Sequence, residues 1–503
     1  MKRLLCLVFI LGMLSGTLPV AASDTQYNWY EVFVYSYSDS DGDGIGDLRG
    51  LLSKLDYIRG MGFNGLWLMP VMPSPSYHKY DVTDYLAVDE LYGTLEDMKT
   101  LVAACHERGI RIIVDLPLNH TSTQHPWFLQ AVEALQAGRK GDIAVGYYSF
   151  REGPALNHVN VFGTDWYYEE QFAGGRMPDL DLDSGAVREE IRRIFEFWLL
   201  GLGVDGFRLD AVTSFYAGND TNNIAFLRFL KTTAEELKPG SFLVGECWKG
   251  LHQIAEYYQS DIDSFFLFPA AQAEGYIAAS MRARKPAETY VKHMQRVLEA
   301  IPEGILTPFL SNHDTGRTVG LVQGRQAPER VKFAHALLAL MGGYAFTYYG
   351  EEIGMAGSGA DPNKRLGMLW EEGDVTNPPP GVTAMEYPFP GVREQGEDPY
   401  SLLNYIKKLT HQKLALPAIA LGKTDFGPVT EDTCVLVRQH EGESVHIAVN
   451  FSAKEAREVR IPGQLTLLDT LDTGRDASSA AAEGQDTLVI LQPYGIAYLK
   501  KSE

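Results

Sequence analysis

Four short segments place acids directly after apolar runs, and two of them add a histidine. They read Asp115-Leu-Pro-Leu-Asn119-His120, Gly206-Phe-Arg208-Leu-Asp210, Gly245-Glu246-Cys247-Trp248 and Ser311-Asn312-His313-Asp314. One such acid alone would read as a helix cap or a surface ion pair. Four together, with Arg208 and two histidines, are better explained by one shared site. Converging carboxylates without a serine elbow or a cysteine nucleophile suit acetal chemistry. One carboxylate attacks the sugar carbon or activates water, and one carboxylic acid protonates the leaving oxygen. Arg208 and Asp210 lie two apart on one strand and so point the same way. A guanidinium fixed beside a carboxylate keeps it ionised, which fits Asp210 as nucleophile. Glu246 has no cation adjacent in sequence, and crowding by other carboxylates should raise its pKa, as a general acid requires. No His-x-His or His-Glu-x-x-His pattern is present, which argues against a metal-dependent hydrolase.

The elements that must position these residues alternate regularly. Strand candidates fall at 31–35 (EVFVY), 65–69 (GLWLM), 111–116 (RIIVDL), 204–209 (VDGFRL), 242–245 (FLVG), 263–266 (DSFF), 306–310 (ILTPFL without its first residue) and 344–348 (YAFTY). Amphipathic stretches separate most of them. One spans 95–108, with Thr94 as N-cap and Gly109 as stop signal, and another spans 186–200. Eight strands, most followed by a helix, predict an α/β fold, a (β/α)8 TIM barrel, with working residues at the C-terminal strand ends. The long gap between the third and fourth strands predicts an inserted subdomain over 121–176. The barrel then comprises 23–120 and 177–412. After it, short strands at 435–439, 445–450, 458–461, 465–469, 487–491 and 497–499 predict an antiparallel β-sandwich over 413–503, with Pro417 and Gly422 marking the linker.

Residues 1–22 read as a secretory signal peptide: a basic Met1-Lys2-Arg3, an apolar run from Leu4 to Leu14, and small residues Val20-Ala21-Ala22 before Ser23. The run is too short to span a bilayer. The expectation is a secreted protein, extracellular or periplasmic, and a monomer. The 503 residues carry 44 Lys+Arg against 65 Asp+Glu, a net charge of −21. Such a surface repels phosphate backbones and anionic lipids, so neither nucleic acid nor membrane is an expected partner. A neutral substrate or a divalent cation fits better. With 45% hydrophobic and 22% charged residues, the chain is ordinary globular material. Cys105, Cys247 and Cys434 are odd in number and far apart, which predicts free buried thiols rather than a disulfide framework.

A second cluster, Asp39-Ser-Asp41-Gly-Asp43-Gly-Ile45-Gly-Asp47, sets hard oxygen donors at alternate positions, with Ile45 offering a backbone carbonyl. That spacing suits a structural Ca²⁺ held by Asp39, Asp41, Asp43, Ile45 and Asp47. It is not an EF-hand, because Gly50 stands where the bidentate glutamate belongs. The competing reading is a solvated acidic turn. Phosphate binding by its glycines is excluded by four aspartates.

DLPLNH, GFRLDAV, GECW and FLSNHD, in that order, resemble the four conserved regions of the α-amylase family of glycoside hydrolases (family 13). GFNGLWLMP, MPDLDLD and YGEEIGM are similar to further family motifs, and the resemblance covers about residues 30–370. The resemblance implies Asp210 as nucleophile, Glu246 as acid/base and Asp314 as the carboxylate that holds sugar hydroxyls in the transition state. It implies that Arg208 orients the nucleophile and that His120 and His313 bind hydroxyls of the sugar being cleaved. It makes Tyr80 an aromatic platform for that sugar, and Asp115 a structural residue. It identifies the insertion and the sandwich with the family's domains B and C. Loops similar to DSDGDGIGD bind a structural Ca²⁺ in several members.

The chain departs from the family pattern in places. Thr213-Ser214 stands where many starch-cleaving members have Lys-His, which removes a substrate contact and puts in doubt the family's usual calcium site, to which Asn119 would contribute. Ala211 follows the nucleophile where members cutting α-1,6 bonds often carry valine. Tyr77 stands where exo-acting α-glucosidases often carry an aspartate that closes a pocket. The expectation is a retaining, endo-acting hydrolase of α-1,4 bonds in starch and maltooligosaccharides, resembling a bacterial secreted α-amylase subgroup, with no organic cofactor. The alternatives are a 4-α-glucanotransferase, or an enzyme acting on cyclic or α-1,6 substrates like cyclomaltodextrinase, neopullulanase or oligo-1,6-glucosidase. A non-catalytic glucan-binding protein would have lost an acid, and none of the three is lost.

Overall fold

The computed structural model describes residues 26–172 and 174–501, so the expected signal peptide lies outside the described residues. Seven parallel strands form one sheet in the order β10-β1-β2-β3-β7-β8-β9. They are β1 (Trp29–Val32), β2 (Gly65–Leu68), β3 (Arg111–Leu116), β7 (Gly206–Leu209), β8 (Phe242–Gly245), β9 (Ser264–Phe265) and β10 (Phe346–Tyr348). The 306–310 segment supplies the eighth stave. It pairs through two parallel bridges, Phe266 with Thr307 and Phe309 with Phe346, and so closes the ring as a TIM barrel.

The first strand lies two residues upstream of its predicted place, and Val34–Ser36 coil into a 3-10 turn instead. The run Trp29 to Tyr35 is apolar at nearly every position, so periodicity alone does not fix its ends. Packing does. Gly65 sits opposite Trp29, and a Cβ there would come within 2.5 Å of the indole. Trp29 stacks on Phe242 at 5.2 Å and on Phe346 at 5.5 Å, and Trp67, Ile113, Val244, Phe266 and Phe309 complete an aromatic plug inside the ring.

Local signals account for the surrounding helices. In α1 (Leu48–Ser53), Asp47 is the N-cap. In α2 (Leu95–Glu107), Thr94 and Asp97 form a reciprocal capping box. The stretch predicted over 186–200 is an α-helix only as α4 (Gly185–Glu196), and Phe197–Gly201 continue in a wider π turn. Between β3 and α4 the chain inserts α3 (Pro126–Gln136) and a small antiparallel sheet of β4 (Phe150–Glu152), β6 (Trp166–Glu169) and β5 (His158–Asn160). On the outer wall lie α5 (Pro328–Leu340) and α6 (Leu402–Ala415).

The C-terminal region is a sandwich of two antiparallel sheets. One contains β11 (Lys423–Val429), β12 (Thr433–His440), β13 (Glu443–Asn450), β18 (Ile496–Lys501) and β15 (Leu465–Leu471), and the other β14 (Arg457–Pro462), β17 (Asp486–Leu491) and β16 (Ser479–Glu483). Val435, Ala448, Val459, Ile461, Val489, Leu491, Ala497 and Leu499 fill the space between. Two strands, β11 and β16, were not predicted. Both are edge strands; KTDFGPV is interrupted by Gly427-Pro428, and SAAAE carries no β-branched or aromatic residue. Cys105, Cys247 and Cys434 are free and buried, as expected. No helix among the described residues is long and apolar enough to cross a membrane.

Candidate active site

Strand alternation lifts the polar residues directly above the aromatic plug. Trp29 and Ile113 point into the ring, so Glu31 and Asp115, each two residues on, point into it one layer higher. Arg208 stands in that layer from β7, fully buried. Its Nη1 donates to Asp115 Oδ1 at 2.8 Å and to Asp210 Oδ1 at 2.5 Å, and its Nη2 lies 2.9 Å from Glu246 Oε1. One guanidinium therefore serves three carboxylates. Its plane packs against Trp67 (5.3 Å) and Tyr80 (5.9 Å).

Glu246 differs from the sequence expectation in two ways. A cation does lie beside it, since Arg208 arrives from the neighbouring strand. Its pKa is nonetheless pushed up to about 8, first by burial and then by the charges of Asp210 and Asp314, so crowding is the smaller cause. Its Oε2 accepts the Ala211 backbone N–H at 2.9 Å, which fixes the carboxyl beside Asp210. Ala211 holds a positive φ of 45° at this turn. Asp115 is likewise raised, to about 6, by burial and against the pull of Arg208.

Asp314 follows the eighth stave and meets a different set of partners. Its Oδ2 lies 3.1 Å from His313 Nε2 and its Oδ1 3.1 Å from Arg365 Nη2. Burial alone would raise this carboxyl, but His313, Arg365 and Arg208 outweigh it and hold it well below the usual carboxylate range. His313 gives Nδ1 to Glu31 Oε1 at 2.6 Å. Burial works against its charge, yet Asp314 and Glu31 together raise its pKa to about 10, so the ring is an imidazolium. Tyr80 lies against that ring, 5.6 Å between centroids and 21° between planes, and its hydroxyl reaches His313 Nε2 (2.8 Å) and Asp115 Oδ2 (2.9 Å).

Tyr80, Asp210, Glu246 and Asp314, with His120, line a cleft of about 260 Å³, while Glu31, Asp115, Arg208 and His313 are buried outside that lining. His120 is 1% exposed, and both of its ring nitrogens lack a hydrogen-bond partner. Neutral, desolvated nitrogens at a cleft wall are suited to sugar hydroxyls. Phe172, from the insertion, meets that imidazole edge-on at 5.1 Å.

Sequence reasoning gave no role to several residues found here. Trp248 is half exposed, lines the cleft, and stacks on Phe268 at 4.7 Å. It stood in plain view within GECW. Glu31 was the one charge in an otherwise apolar strand, which is a signal of an inward polar partner. Arg365 and Asp361 had no signal, because only the fold brings their loop to the mouth. There Asp361 pairs with Arg365 at 3.0 Å and accepts the Tyr77 hydroxyl at 3.0 Å.

The acidic loop before α1 lies apart from the cleft residues. Carboxylate oxygens of Asp39, Asp41 and Asp43 come within 4.8 Å of one another. Backbone amides turn them inward: Asp39 accepts from Asp41, Gly42 and Gly44, Asp41 from Asp43, and Asp43 from Ile45. Gly42, at φ 86°, makes this winding accessible. Asp47, read from sequence as a further ligand, stands outside that group. Its oxygens accept the backbone N–H groups of Ser40, Arg49 and Gly50 and the Ser40 hydroxyl. Elsewhere, Asn119 donates its amide to Asp179 Oδ1 at 2.9 Å.

Residues 31–415 match the family described as "Alpha amylase, catalytic domain". The chain is 34% identical over 428 residues to "Alpha-amylase 3" of Dictyoglomus thermophilum, covering 84% of this chain and 83% of that one. It is 29% identical over 494 residues to "Probable alpha-glucosidase" of Rhizobium meliloti, covering 85% and 89%. The solved structure "Eubacterium rectale Amy13B" superposes with a TM-score of 0.89 at 39% identity, covering 95% of this chain and 96% of that one.

Proposed function

The chain belongs to the α-amylase family of glycoside hydrolases (family 13), and on that footing we propose that it is a retaining, endo-acting α-amylase that hydrolyses α-1,4-glucosidic bonds in starch and maltooligosaccharides. The carrying observation is the arrangement on Arg208: Asp210 and Glu246 share one guanidinium, while burial keeps a proton on Glu246. This is compatible with the spacing of about 5 Å that double displacement uses. Asp210 attacks the anomeric carbon as Glu246 gives its proton to the leaving glycosidic oxygen. Water then attacks the glycosyl-Asp210 ester, and Glu246 takes the water's proton. Asp314, ionised by His313 and Arg365, accepts hydroxyls of the ring as it flattens. His120 holds further hydroxyls, His313 acts through Asp314 and Tyr80, which occupy its Nε2, and the Tyr80 ring packs against the sugar's C–H face.

Two further parts of the reading concern the loop and the compartment. Asp39, Asp41 and Asp43 form a hard-oxygen set of the kind Ca²⁺ takes, to which the Ile45 carbonyl would add a ligand, and Asp47 caps α1 next to the loop. Bound there, Ca²⁺ would neutralise the mutual repulsion of three carboxylates. Residues 1–22 act as a leader that exports the protein, which works as a monomer.

A second reading is favoured by Asp361. Its half-exposed carboxylate, held by Tyr77 and Arg365, faces the cleft and would narrow it beyond the cleaved sugar, as an exo-acting enzyme requires. Chromatography of products from soluble starch, maltoheptaose, pullulan and cyclodextrin separates the readings. Early mixed maltooligosaccharides from starch support the endo reading. Glucose as sole early product supports the exo reading. Longer oligosaccharides made from maltoheptaose identify a 4-α-glucanotransferase, and preferential opening of cyclodextrin or pullulan identifies a cyclomaltodextrinase-like enzyme.

A further inference from the structure

A small cavity of about 20 Å³ lies at the opposite end of the barrel from the cleft. Asn28 and Phe63, which precede β1 and β2, line it together with Thr347 of β10 and residues of α5 and α6. Two of its lining side chains end in nitrogens that make no hydrogen bond. Lys413 on α6 is 2% exposed, and its Nζ makes no hydrogen bond. His335 on α5 is 4% exposed, and its Nε2 makes none either. The acid nearest that nitrogen is Glu351, whose Oε2 lies 3.7 Å from it, beyond hydrogen-bond reach. Among the described residues no carboxylate is paired with Lys413. Close by, Arg438 of β12 adds a second buried cation, and its guanidinium bonds only to the carbonyls of Leu340 and Gly422.

Apart from Asn28, Thr347 and Thr410 the remaining wall is apolar, with Leu338, Ile406 and Leu409 among its members. A buried ammonium without a counter-charge is strongly disfavoured. It must either give up its proton or gain an anion. Burial, with Arg438, does depress the lysine, to about 7, so near neutrality a modest partner suffices to keep it charged. The cavity holds little more than one water-sized guest. A water would gain donors on two sides, but it would leave the excess positive charge uncompensated.

We propose that this cavity binds a single small monovalent anion, such as a halide, between Lys413 Nζ and His335 Nε2, with His335 in the tautomer protonated at Nε2. The anion would tie α5 to α6 beneath the barrel.

Thermal unfolding of the full chain tests this at constant ionic strength, as sodium gluconate is replaced stepwise by sodium chloride or bromide. The wild type should gain a saturable rise in Tm of about 1–4 °C. Lys413→Met should lose the halide response. Crystals of the wild type soaked in bromide should show an anomalous peak between the two nitrogens, which decides the matter even if the variant fails to fold. Equal Tm in gluconate and halide, a halide response kept by Lys413→Met, or a cavity without bromide would overturn the proposal.

Discussion

Arg208 Nη1 lies 2.5 Å from Asp210 Oδ1, and both residues come from a single five-residue stretch, Gly206 to Asp210. The cation is thus built into the same strand as the acid it orients. The first prediction follows. Asp210→Asn should lower kcat on maltoheptaose on the order of 10⁴-fold or more. Arg208 keeps Asp115 and Glu246, so the circular dichroism spectrum and cooperative melt should survive. Appreciable activity in a folded variant would remove Asp210 from its role.

As the proposed acid, Glu246 should set the alkaline limit. Its folded pKa, about 8, lies above the ordinary 4.5, so the folded state favours the proton. The stability this gives is complete below about 4.5 and is lost as pH rises through 8. The acid step needs the same proton. A plot of kcat/KM against pH should therefore fall with an apparent pKa near 8, and Glu246→Gln should be inactive at every pH. An alkaline limb beginning near pH 6 would contradict this.

His313 supplies a second pH signature. Its pKa of about 10 lies above the usual 6.5, so its contribution is full below 6.5 and lost as pH rises through 10. Glu31→Gln removes one of the two anions responsible. Measured Tm should then decline at lower pH than in the wild type, within pH 7–10. Coincident profiles would show that Glu31 does not support the imidazolium.

Trp248 is half exposed and packs on Phe268 at the cleft, so Trp248→Ala should barely change stability. Loss of an aromatic sugar platform should raise KM for maltoheptaose about 3–10-fold with little change in kcat. An unchanged KM would place the indole outside the substrate path.

For the acidic loop, a chelator should lower the wild-type Tm by several degrees, and calcium should restore it. Asp41→Asn should start lower and respond less to either treatment. A melting curve indifferent to chelator would leave the loop as a solvated turn.

The barrel and the gathering of acids at its mouth were legible because the acids stand on or just after their strands: Asp210 one residue after β7, Glu246 one after β8. Contacts between distant segments were not. Arg365 reaches Asp314 from a loop whose sequence, DPNKR, reads as an ordinary polar turn. Strand ends also escaped where apolar runs are continuous, as at Trp29 to Tyr35, because side-chain packing rather than alternation decides them. The edge strands β11 and β16 were missed for the opposite reason: half-solvated strands need little apolar pattern.

The charge on Asp314 depends on residues from the beginning and the end of the barrel's sequence. His313 is held by Glu31, near the start of the folded chain, while Arg365 arrives more than three hundred residues later. A polypeptide still being synthesised, with its arginine inside the ribosome, would carry all three acids and yet lack the field that readies them. Glycosidase activity would thus be withheld until the ring has shut.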